Sequence, residues 1–336
     1  PGTGVAALPE YASLVPNTPT FAKSTALPEH PLSPFTLPSL SGASNAWAAA
    51  PNRSASGGTL LANDPHLGLS APAIWYLARL ELSSGGVIGA TIPGIPVVLA
   101  GRSNDLGWGV TAAYVDDQDL MIEELDSSNS ENYRTPNGFK PFVTRKSIIT
   151  IKDREPITLT LRWTENGPVL PGSDFNLSTI TPPGHVAALN WTALSSRDTS
   201  TSALMALMFA GSVEEGMEAT NGHIAPGLTL TLADSKNIGM KLIGALPKRD
   251  AKHQSQGRLP ALGWRLENRW QGMLDGGANP SFIEPVGGIV GNTNNKLVER
   301  RFPEHISHVW GDSQRIQRWT RLMQSRRVHT RDSFIE

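Results

Sequence analysis

The sequence predicts an α+β fold, because segments with the pattern of strands fill its first half and helical segments follow later in the chain. Short apolar stretches bounded by Gly, Asn and Asp indicate strands at 46–50, 59–62, 87–92, 97–100 and 106–111. Residues 146–153 and 157–164 alternate polar with apolar side chains, as a half-exposed hairpin does. Further strands are expected at 186–191, 228–233 and 238–242, and helices at 71–82, 202–210, 213–219 and 312–324.

The composition is that of a globular protein that acts on a small molecule. The chain has 336 residues, of which 39% are hydrophobic, so it can bury a large core. Its 29 Lys and Arg residues against 30 acidic ones give a net charge of −1, which predicts no binding to nucleic acid or to an anionic membrane. No apolar run approaches the roughly 18 residues of a membrane helix. The chain has no cysteine, so a nucleophile has to be an oxygen or a nitrogen.

Residues 1–43 differ in composition from the remainder of the chain. They are rich in Ser, Thr, Ala and Leu and contain eight prolines, at positions 1, 9, 16, 19, 28, 31, 34 and 38. Proline removes a backbone donor and fixes φ, so such a stretch disfavours helices and strands. We interpret residues 1–43 as a linker, with Ser44 at the head of the first strand.

Ser44 has three interpretations on the sequence alone. Gly42, Ser44 and Ala46 nearly match a nucleophile elbow, but an elbow needs a buried strand before the serine, and here prolines precede it. It could also be an ordinary loop serine. The third interpretation is cleavage of the preceding bond, which would free an α-amine with a pKa of roughly 7.7–8.0 to act as the base for the Ser44 hydroxyl.

An ordered set of short motifs favours the third interpretation. The set begins with Ser44-Asn45-Ala46-Trp47 and Ala62-Asn63-Asp64-Pro65-His66-Leu67, and continues with Ile92-Pro93-Gly94, Trp108-Gly109, Asp116-Asp117-Gln118-Asp119 and Gly291-Asn292-Thr293-Asn294-Asn295. In this order the motifs resemble the penicillin amidase family from residue 44 to about residue 325. The resemblance implies that residues 44–336 form a four-layer αββα sandwich of the N-terminal nucleophile hydrolase type.

The resemblance also implies a role for each of six residues. Cleavage between Ala43 and Ser44 would release the nucleophile, and its amine would be the base. The backbone N–H of Ala112 and the side-chain amide of Asn294 would stabilise the oxyanion. His66 would orient the Ser44 amine, and Arg315 would hold Asn294 and the nucleophile in place.

The substrate expected from the resemblance is an N-acylated small molecule of the acyl-homoserine lactone or β-lactam type. Positions that line the acyl pocket in the family correspond to Leu67, Ala100 and Val110, and these apolar, largely small side chains favour an aliphatic acyl group. No cofactor is expected for catalysis.

One structural metal ion is implied by the resemblance. Asp116, Asp119 and the carbonyl of Gln118 correspond to a calcium site of the family, and oxygen ligands suit that ion. Glu304, His305 and His308 lack the helical spacing of zinc peptidases, so we expect them to be polar residues of a solvated loop.

The family also implies a partner and a location. Only 43 residues precede Ser44, where relatives carry an α subunit from the same precursor, so we expect this chain to be a β-chain fragment that works with such a subunit. The resemblance predicts a periplasmic or secreted bacterial enzyme. The alternative is an unprocessed or truncated family fragment without activity.

Overall fold

The computed structural model describes residues 43–67, 71–83, 85–172, 175, 177–298, 305–311 and 313–335. Of the linker predicted at 1–43, residues 1–42 lie outside the described part, and Ala43 is the first residue of a strand. Eighteen strands and four α-helices occur in the described part of the chain. The strands are β1 (Ala43–Ala49), β2 (Leu60–His66), β3 (Tyr76–Leu82), β4 (Gly85–Thr91), β5 (Ala100–Arg102), β6 (Gly107–Ala112), β7 (Gln118–Asp126), β8 (Asn129–Thr135), β9 (Gly138–Pro141), β10 (Val143–Ile149), β11 (Ile157–Thr164), β12 (Gly167–Pro168), β13 (His185–Trp191), β14 (Leu228–Ala233), β15 (Ile238–Ile243), β16 (Ala261–Leu262), β17 (Ser281–Ile283) and β18 (Ile289–Asn292). The helices are α1 (Ser200–Leu207), α2 (Val213–Ala219), α3 (Gln314–Ser325) and α4 (Arg331–Ile335).

The chain divides into two compact units, and the larger one contains residues 43–116, 196–246 and 274–335. Its first sheet has three strands in the order β18-β1-β2, and its second has seven in the order β17-β15-β14-β6-β5-β4-β3. In the first sheet, β1 pairs antiparallel with both neighbours, with Ala46 opposite Asn292 on one side and Asn63 on the other.

Four layers stack in this larger unit. Alternate residues of β14 face opposite ways, so Leu230 and Leu232 pack against Leu207 of α1 and Met217 of α2 in one cluster. Ala233 packs with Ala48 of β1 in a second cluster, between the two sheets. Helix α3 covers the outer face of the three-stranded sheet, where a Cβ on Gly291 would lie 2.4 Å from the ring of Trp319. The order is therefore helix, sheet, sheet, helix, which confirms the αββα prediction.

The smaller unit is built mainly of strands. Its described parts are residues 117–195 and 247–273, apart from 173, 174 and 176. Strands β13, β7, β8 and β9 form one sheet, to which β16 adds in parallel beside β7, and β10, β11 and β12 form another. Met121 and Ile122 of β7 are fully buried, which identifies the first sheet as the core of this unit.

The structure confirms most of the elements predicted from the sequence, including the hairpin of β10 and β11 and the helix at 213–219. Two predictions were wrong. Of the strand expected at 97–100, only Ala100 lies in a strand, as the first residue of β5. Residues 71–82, expected to be helical, contain β3, which pairs with β4 so that Tyr76 lies opposite Thr91 and Leu82 opposite Gly85. Leu, Ala, Arg and Glu are good helix formers, but their preference amounts to only fractions of a kcal/mol per residue, and pairing at a sheet edge overrides it.

None of the helices in the described residues combines the length and the apolar character needed to cross a membrane.

Candidate functional site

Ser44 is the second residue of β1 and is 8% exposed. Ser44, Ala46 and Ala48 share one face of the strand, and Ala48 belongs to the cluster between the sheets, so Ser44 faces the seven-stranded sheet. Ala46 pairs with Asn292, so continuing this antiparallel register brings Asn294 opposite Ser44. The backbone N–H of Ser44 donates to Asn294 Oδ1 at 2.8 Å.

Asn294 has a left-handed backbone, and both its side-chain oxygen and its side-chain nitrogen make hydrogen bonds. Its φ of 66° lies in the left-handed region, which asparagine tolerates better than most residues. Two neighbours hold this conformation: Asn292 Oδ1 accepts from the Asn294 N–H at 2.9 Å, and Gly311 donates to its carbonyl at 3.2 Å. Thr111 in turn fixes Asn292 through a 2.7 Å hydrogen bond. These hydrogen bonds hold the backbone of Asn294 in place and thereby fix the position from which its side-chain amide extends.

Arg315, in the first turn of α3, binds both sides of the Ser44–Asn294 contact. Its Nη2 donates to Asn294 Oδ1 at 3.0 Å, and its Nη1 donates to the Ser44 carbonyl at 3.1 Å. Nη1 also donates to Asn45 Oδ1 at 2.7 Å. The structure thus brings Ser44, Asn294 and Arg315 together, although 250 residues separate the first two in sequence.

Strand β6 is longer than its neighbour β5. Beyond the end of β5, the backbone of β6 forms hydrogen bonds with side-chain amides instead of with another strand. Asn63 Nδ2 donates to the Val110 carbonyl at 3.0 Å, and the Val110 N–H donates back to Asn63 Oδ1 at 3.2 Å. Gly109 makes this approach possible, because a Cβ there would lie 2.7 Å from the Asn63 Cβ. Two residues further along, Asn294 Nδ2 donates to the Ala112 carbonyl at 2.9 Å.

The N–H of Ala112 points to the same side as Asn294. In an extended strand successive N–H groups alternate in direction, and the N–H of Ala113 donates to Gly227 next to β14. The N–H and carbonyl of Ala112 therefore both point away from β14, toward the side where Asn294 lies. This places a backbone donor and a side-chain amide, the two groups expected to stabilise an oxyanion, at the same edge of β6.

His66 does not contact the Ser44 nitrogen in the described structure. It ends β2 opposite Ala43, and its Nε2 lies 2.9 Å from Asp64 Oδ2, with more than half of its side chain exposed. Asp64 also accepts from Asn45 Nδ2 at 3.1 Å. The expected hydrogen bond from His66 to Ser44 is replaced here by a His66–Asp64 pair, because residues two apart on a strand share a face. Its role in orienting the amine stays a prediction.

The three residues expected in the acyl pocket lie in different environments. Leu67 follows β2 and is 44% exposed, and Ala100 starts β5 opposite Ala90. Val110 is 8% exposed and belongs to the cluster that α1 and α2 cover, on the opposite face of β6 from Thr111. As the chain stands, Val110 is a core residue, and the assignment of the three to one pocket stays a prediction.

The donors at the expected calcium site do not fit calcium. Arg249 donates through Nε and Nη2 to both oxygens of Asp119, at 2.9 and 3.0 Å, and Trp270 adds a third hydrogen bond at 2.6 Å. A guanidinium therefore occupies the carboxylate that calcium would need. Gln118 begins β7 opposite Trp191, and Asp116 faces two histidines rather than further oxygens. Calcium takes six to eight oxygen ligands, which this set does not supply.

Four supporting residues of the site were not assigned a role from the sequence: Asn45, Asn63, Thr111 and Asn292. Three of them lie within the motifs that carried the family resemblance. Their polar side chains on otherwise buried strands were the available signal, because a buried amide or hydroxyl needs a partner. Which partner each one finds depends on pairing between distant strands.

Taken together, a four-layer αββα sandwich with a serine near the head of an inner strand is the N-terminal nucleophile hydrolase fold. Residues 5–336 match the model of the penicillin amidase family. The chain belongs to the penicillin amidase family.

Curated relatives and a solved structure agree with this family. The acyl-homoserine lactone acylase QuiP of Pseudomonas aeruginosa is 31% identical over 298 residues, which are 87% of this chain and 35% of the relative. The penicillin G acylase of Escherichia coli is 25% identical over 295 residues, covering 86% and 33%. A solved thermostable penicillin G acylase from Alcaligenes faecalis is similar in fold, with a TM-score of 0.74, 24% identity, and coverage of 86% of this chain and 50% of that one. This chain spans about one third of the length of these curated relatives.

Proposed function

We propose that this chain carries the catalytic centre of a hydrolase that cleaves the amide bond of N-acylated small molecules through an acyl-enzyme on Ser44. The observation that carries the proposal is the hydrogen bond from the Ser44 nitrogen to Asn294 Oδ1 at 2.8 Å. It fixes the one nitrogen that would become the base, beside the amide that would stabilise the oxyanion.

Maturation would begin with the Ser44 hydroxyl. Its Oγ attacks the Ala43 carbonyl carbon, the Ala43–Ser44 amide bond breaks as an ester forms, and water hydrolyses the ester to leave a free Ser44 amine. Before cleavage the Ser44 nitrogen is an amide whose lone pair is delocalised, so it is not a base. After cleavage the amine keeps its hydrogen bond to Asn294 and gains a lone pair that can take the proton of its own Oγ.

Arg315 supports this base in two ways. Its guanidinium holds the Ser44 carbonyl and the Asn294 amide in fixed positions, which pre-organises the amine relative to the oxyanion donors. A positive charge beside an amine also disfavours its protonated form, so Arg315 favours the neutral amine that catalysis needs.

In the reaction, Oγ of Ser44 attacks the substrate carbonyl while the amine accepts its proton. The tetrahedral oxyanion would accept hydrogen bonds from the Ala112 N–H and from Asn294 Nδ2, whose second hydrogen is not used by the Ala112 carbonyl. The amine then protonates the leaving nitrogen, and water hydrolyses the acyl-enzyme by the same route in reverse.

The substrate class we infer is an N-acyl amide with an aliphatic acyl chain, such as an acyl-homoserine lactone, with penicillins as secondary substrates. Support comes from Leu67 and Ala100, which are smaller than the aromatic side chains that would enclose a phenylacetyl group. The relative named acyl-homoserine lactone acylase QuiP, at 31% identity, agrees with this class.

The partner we infer is an α subunit from the same precursor, and the location is the periplasm or the exterior of a bacterium. Strand β3 supports a partner, because it lies at the edge of the seven-stranded sheet with Leu77 81% exposed and Leu80 49% exposed. An exposed apolar edge strand is usually covered by further protein.

A comparison of kcat/KM for C4 to C12 acyl-homoserine lactones and for penicillin G, with the complete processed enzyme, tests the proposed function. Each added methylene that the pocket buries contributes about 0.8 kcal/mol, so kcat/KM should rise about fourfold per methylene until the pocket is full. A flat profile with faster turnover of penicillin G would contradict the aliphatic class. Absence of turnover of every amide by the processed enzyme would contradict the hydrolase itself.

A further inference from the structure

Asp116, His305 and His308 form a cluster at one point of the larger unit. Their ligand atoms all lie within 4.8 Å of one another. His305 Nε2 is 2.7 Å from Asp116 Oδ2, and His308 Nε2 is 3.7 Å from the same oxygen. The two imidazole rings are tilted relative to each other, with centroids 3.9 Å apart and planes inclined by 32°. From the sequence these histidines were expected to be polar residues of a solvated loop; they do lie in a loop, and there they also meet Asp116.

We propose that Asp116, His305 and His308 bind a divalent transition-metal ion of the zinc class. Two imidazole nitrogens and one carboxylate oxygen are a donor set that suits Zn²⁺, with water as a fourth ligand. In a tetrahedral site with bonds of about 2.0–2.1 Å, the ligand atoms lie about 3.3 Å apart. The observed separations of 2.7 and 3.7 Å from Asp116 Oδ2 lie on either side of that value, so small side-chain rotations complete the site.

The backbone around the cluster is fixed, which makes the site more than a meeting of surface side chains. The N–H of Asp116 donates to the Ile306 carbonyl at 2.8 Å, directly between the two histidines in sequence. Ile306 is 5% exposed and packs against Leu242 and Leu246. Burial of this side chain anchors the segment that carries both imidazoles next to Asp116.

The competing interpretation is a simple hydrogen-bonded group in which both imidazoles donate to Asp116. The 3.7 Å between His308 Nε2 and Asp116 Oδ2 is too long for a hydrogen bond, whereas a metal ion would bind both imidazole nitrogens and the carboxylate oxygen at once. Calcium and magnesium do not suit the site, because two of its three donors are nitrogens.

The site has a structural consequence for the catalytic centre. The segment that begins at His305 continues to Gly311, whose N–H donates to the carbonyl of Asn294 at 3.2 Å. A metal ion that fixes His305 and His308 would therefore hold the segment that supports the left-handed conformation of Asn294. The inference does not depend on the proposed function, because metal binding is measured without substrate.

Calorimetric titration of the metal-free full chain with ZnCl₂ tests the proposal. We expect one equivalent of Zn²⁺ to bind and the melting temperature to rise. His305→Ala and His308→Ala should each weaken Zn²⁺ binding at least tenfold. Removing a residue that only hydrogen-bonds to a metal ligand already weakens metal binding by roughly tenfold or more. His185→Ala is the matched control, because His185 bonds the Pro183 carbonyl in the smaller unit and should not change the affinity.

Three further measurements distinguish loss of metal binding from loss of stability. Asp116→Asn preserves the shape of the side chain and should also weaken Zn²⁺ binding, and Co²⁺ bound by the wild-type chain should give the visible absorption of a tetrahedral site. Circular dichroism in EDTA should show that each variant folds like the wild type. No saturable Zn²⁺ binding, unchanged binding in the His305→Ala/His308→Ala double variant, or a stronger response to CaCl₂ than to ZnCl₂ would overturn the proposal.

Discussion

Ser44 and Asn294 are joined by a hydrogen bond of 2.8 Å from the backbone nitrogen of the serine to the side-chain oxygen of the asparagine. Arg315 donates to both residues, at the Ser44 carbonyl and at Asn294 Oδ1. These three residues come from the beginning of β1, the turn after β18 and the first turn of α3. Substitutions at these residues test whether this arrangement is catalytic.

Cleavage between Ala43 and Ser44 is expected in the mature protein, because only a free amine gives the Ser44 nitrogen a usable lone pair. Edman sequencing should read Ser-Asn-Ala-Trp. Ser44→Ala should leave the chain at 36.1 kDa by intact mass and abolish hydrolysis. Ser325→Ala, at an exposed serine that ends α3, should be cut and active like the wild type. Active protein in which the Ala43–Ser44 bond is intact would refute the mechanism.

Asn294→Gly should lower kcat by roughly 100- to 1000-fold, the usual effect of removing one oxyanion donor, with a smaller change in KM. Glycine is the sharper substitution here, because the φ of 66° strains alanine but not glycine. Steady-state kinetics on the processed variant measure the effect. Asn295→Gly, at the neighbouring position, measures the effect of adding a glycine to this turn. An unchanged kcat in Asn294→Gly would remove Asn294 from the site.

Arg315→Lys should lower kcat more than it raises KM, because a lysine cannot donate to Ser44 and Asn294 from one planar group. We expect a loss of at least tenfold, from misplacement of the amine and the oxyanion donor. The pH profile of kcat/KM should stay close to that of the wild type, since lysine keeps the positive charge that favours the neutral amine.

Arg318→Lys, at an exposed arginine of the same helix, is the control for Arg315 and should leave both kinetic constants and the pH profile unchanged. Equal effects of the two substitutions would mean that Arg315 acts only through the stability of α3.

Because of Glu123, the free energy of unfolding should fall as the pH rises above the usual pKa of a glutamate. Burial raises the pKa of this carboxyl, outweighing its hydrogen bonds from Asn166 and Thr164. The folded chain therefore binds more protons than the unfolded chain between the unfolded pKa, roughly 4.3, and the raised folded pKa, so stability decreases through that window.

Urea titrations from acid to neutral pH measure this effect. Glu123→Gln keeps the acceptor for Asn166 and Thr164 but has no proton to lose, so its free energy of unfolding should fall less over the same window. Glu155→Gln, at an exposed residue, should retain the wild-type slope. A wild-type slope in Glu123→Gln would show that Glu123 does not carry the pH dependence.

The sequence by itself determined the fold class, most of the strands and the family, and it selected Ser44, Ala112, Asn294 and Arg315 as candidate site residues. These follow from alternation, turn residues and short motifs, which are local properties of the chain. The motifs could name Asn294 and Arg315, but not the hydrogen bonds that join them to Ser44.

Only the tertiary structure decided which side chains meet. The segment of β3 is a strand because it pairs with β4, although its local propensity favours a helix. The Asp119 carboxylate, which was expected to bind calcium, accepts hydrogen bonds from Arg249 instead. Packing of Ile306 brought two loop histidines to Asp116. Contacts between residues more than a hundred positions apart depend on strand register and on which polar groups are buried together, and no local pattern encodes either one.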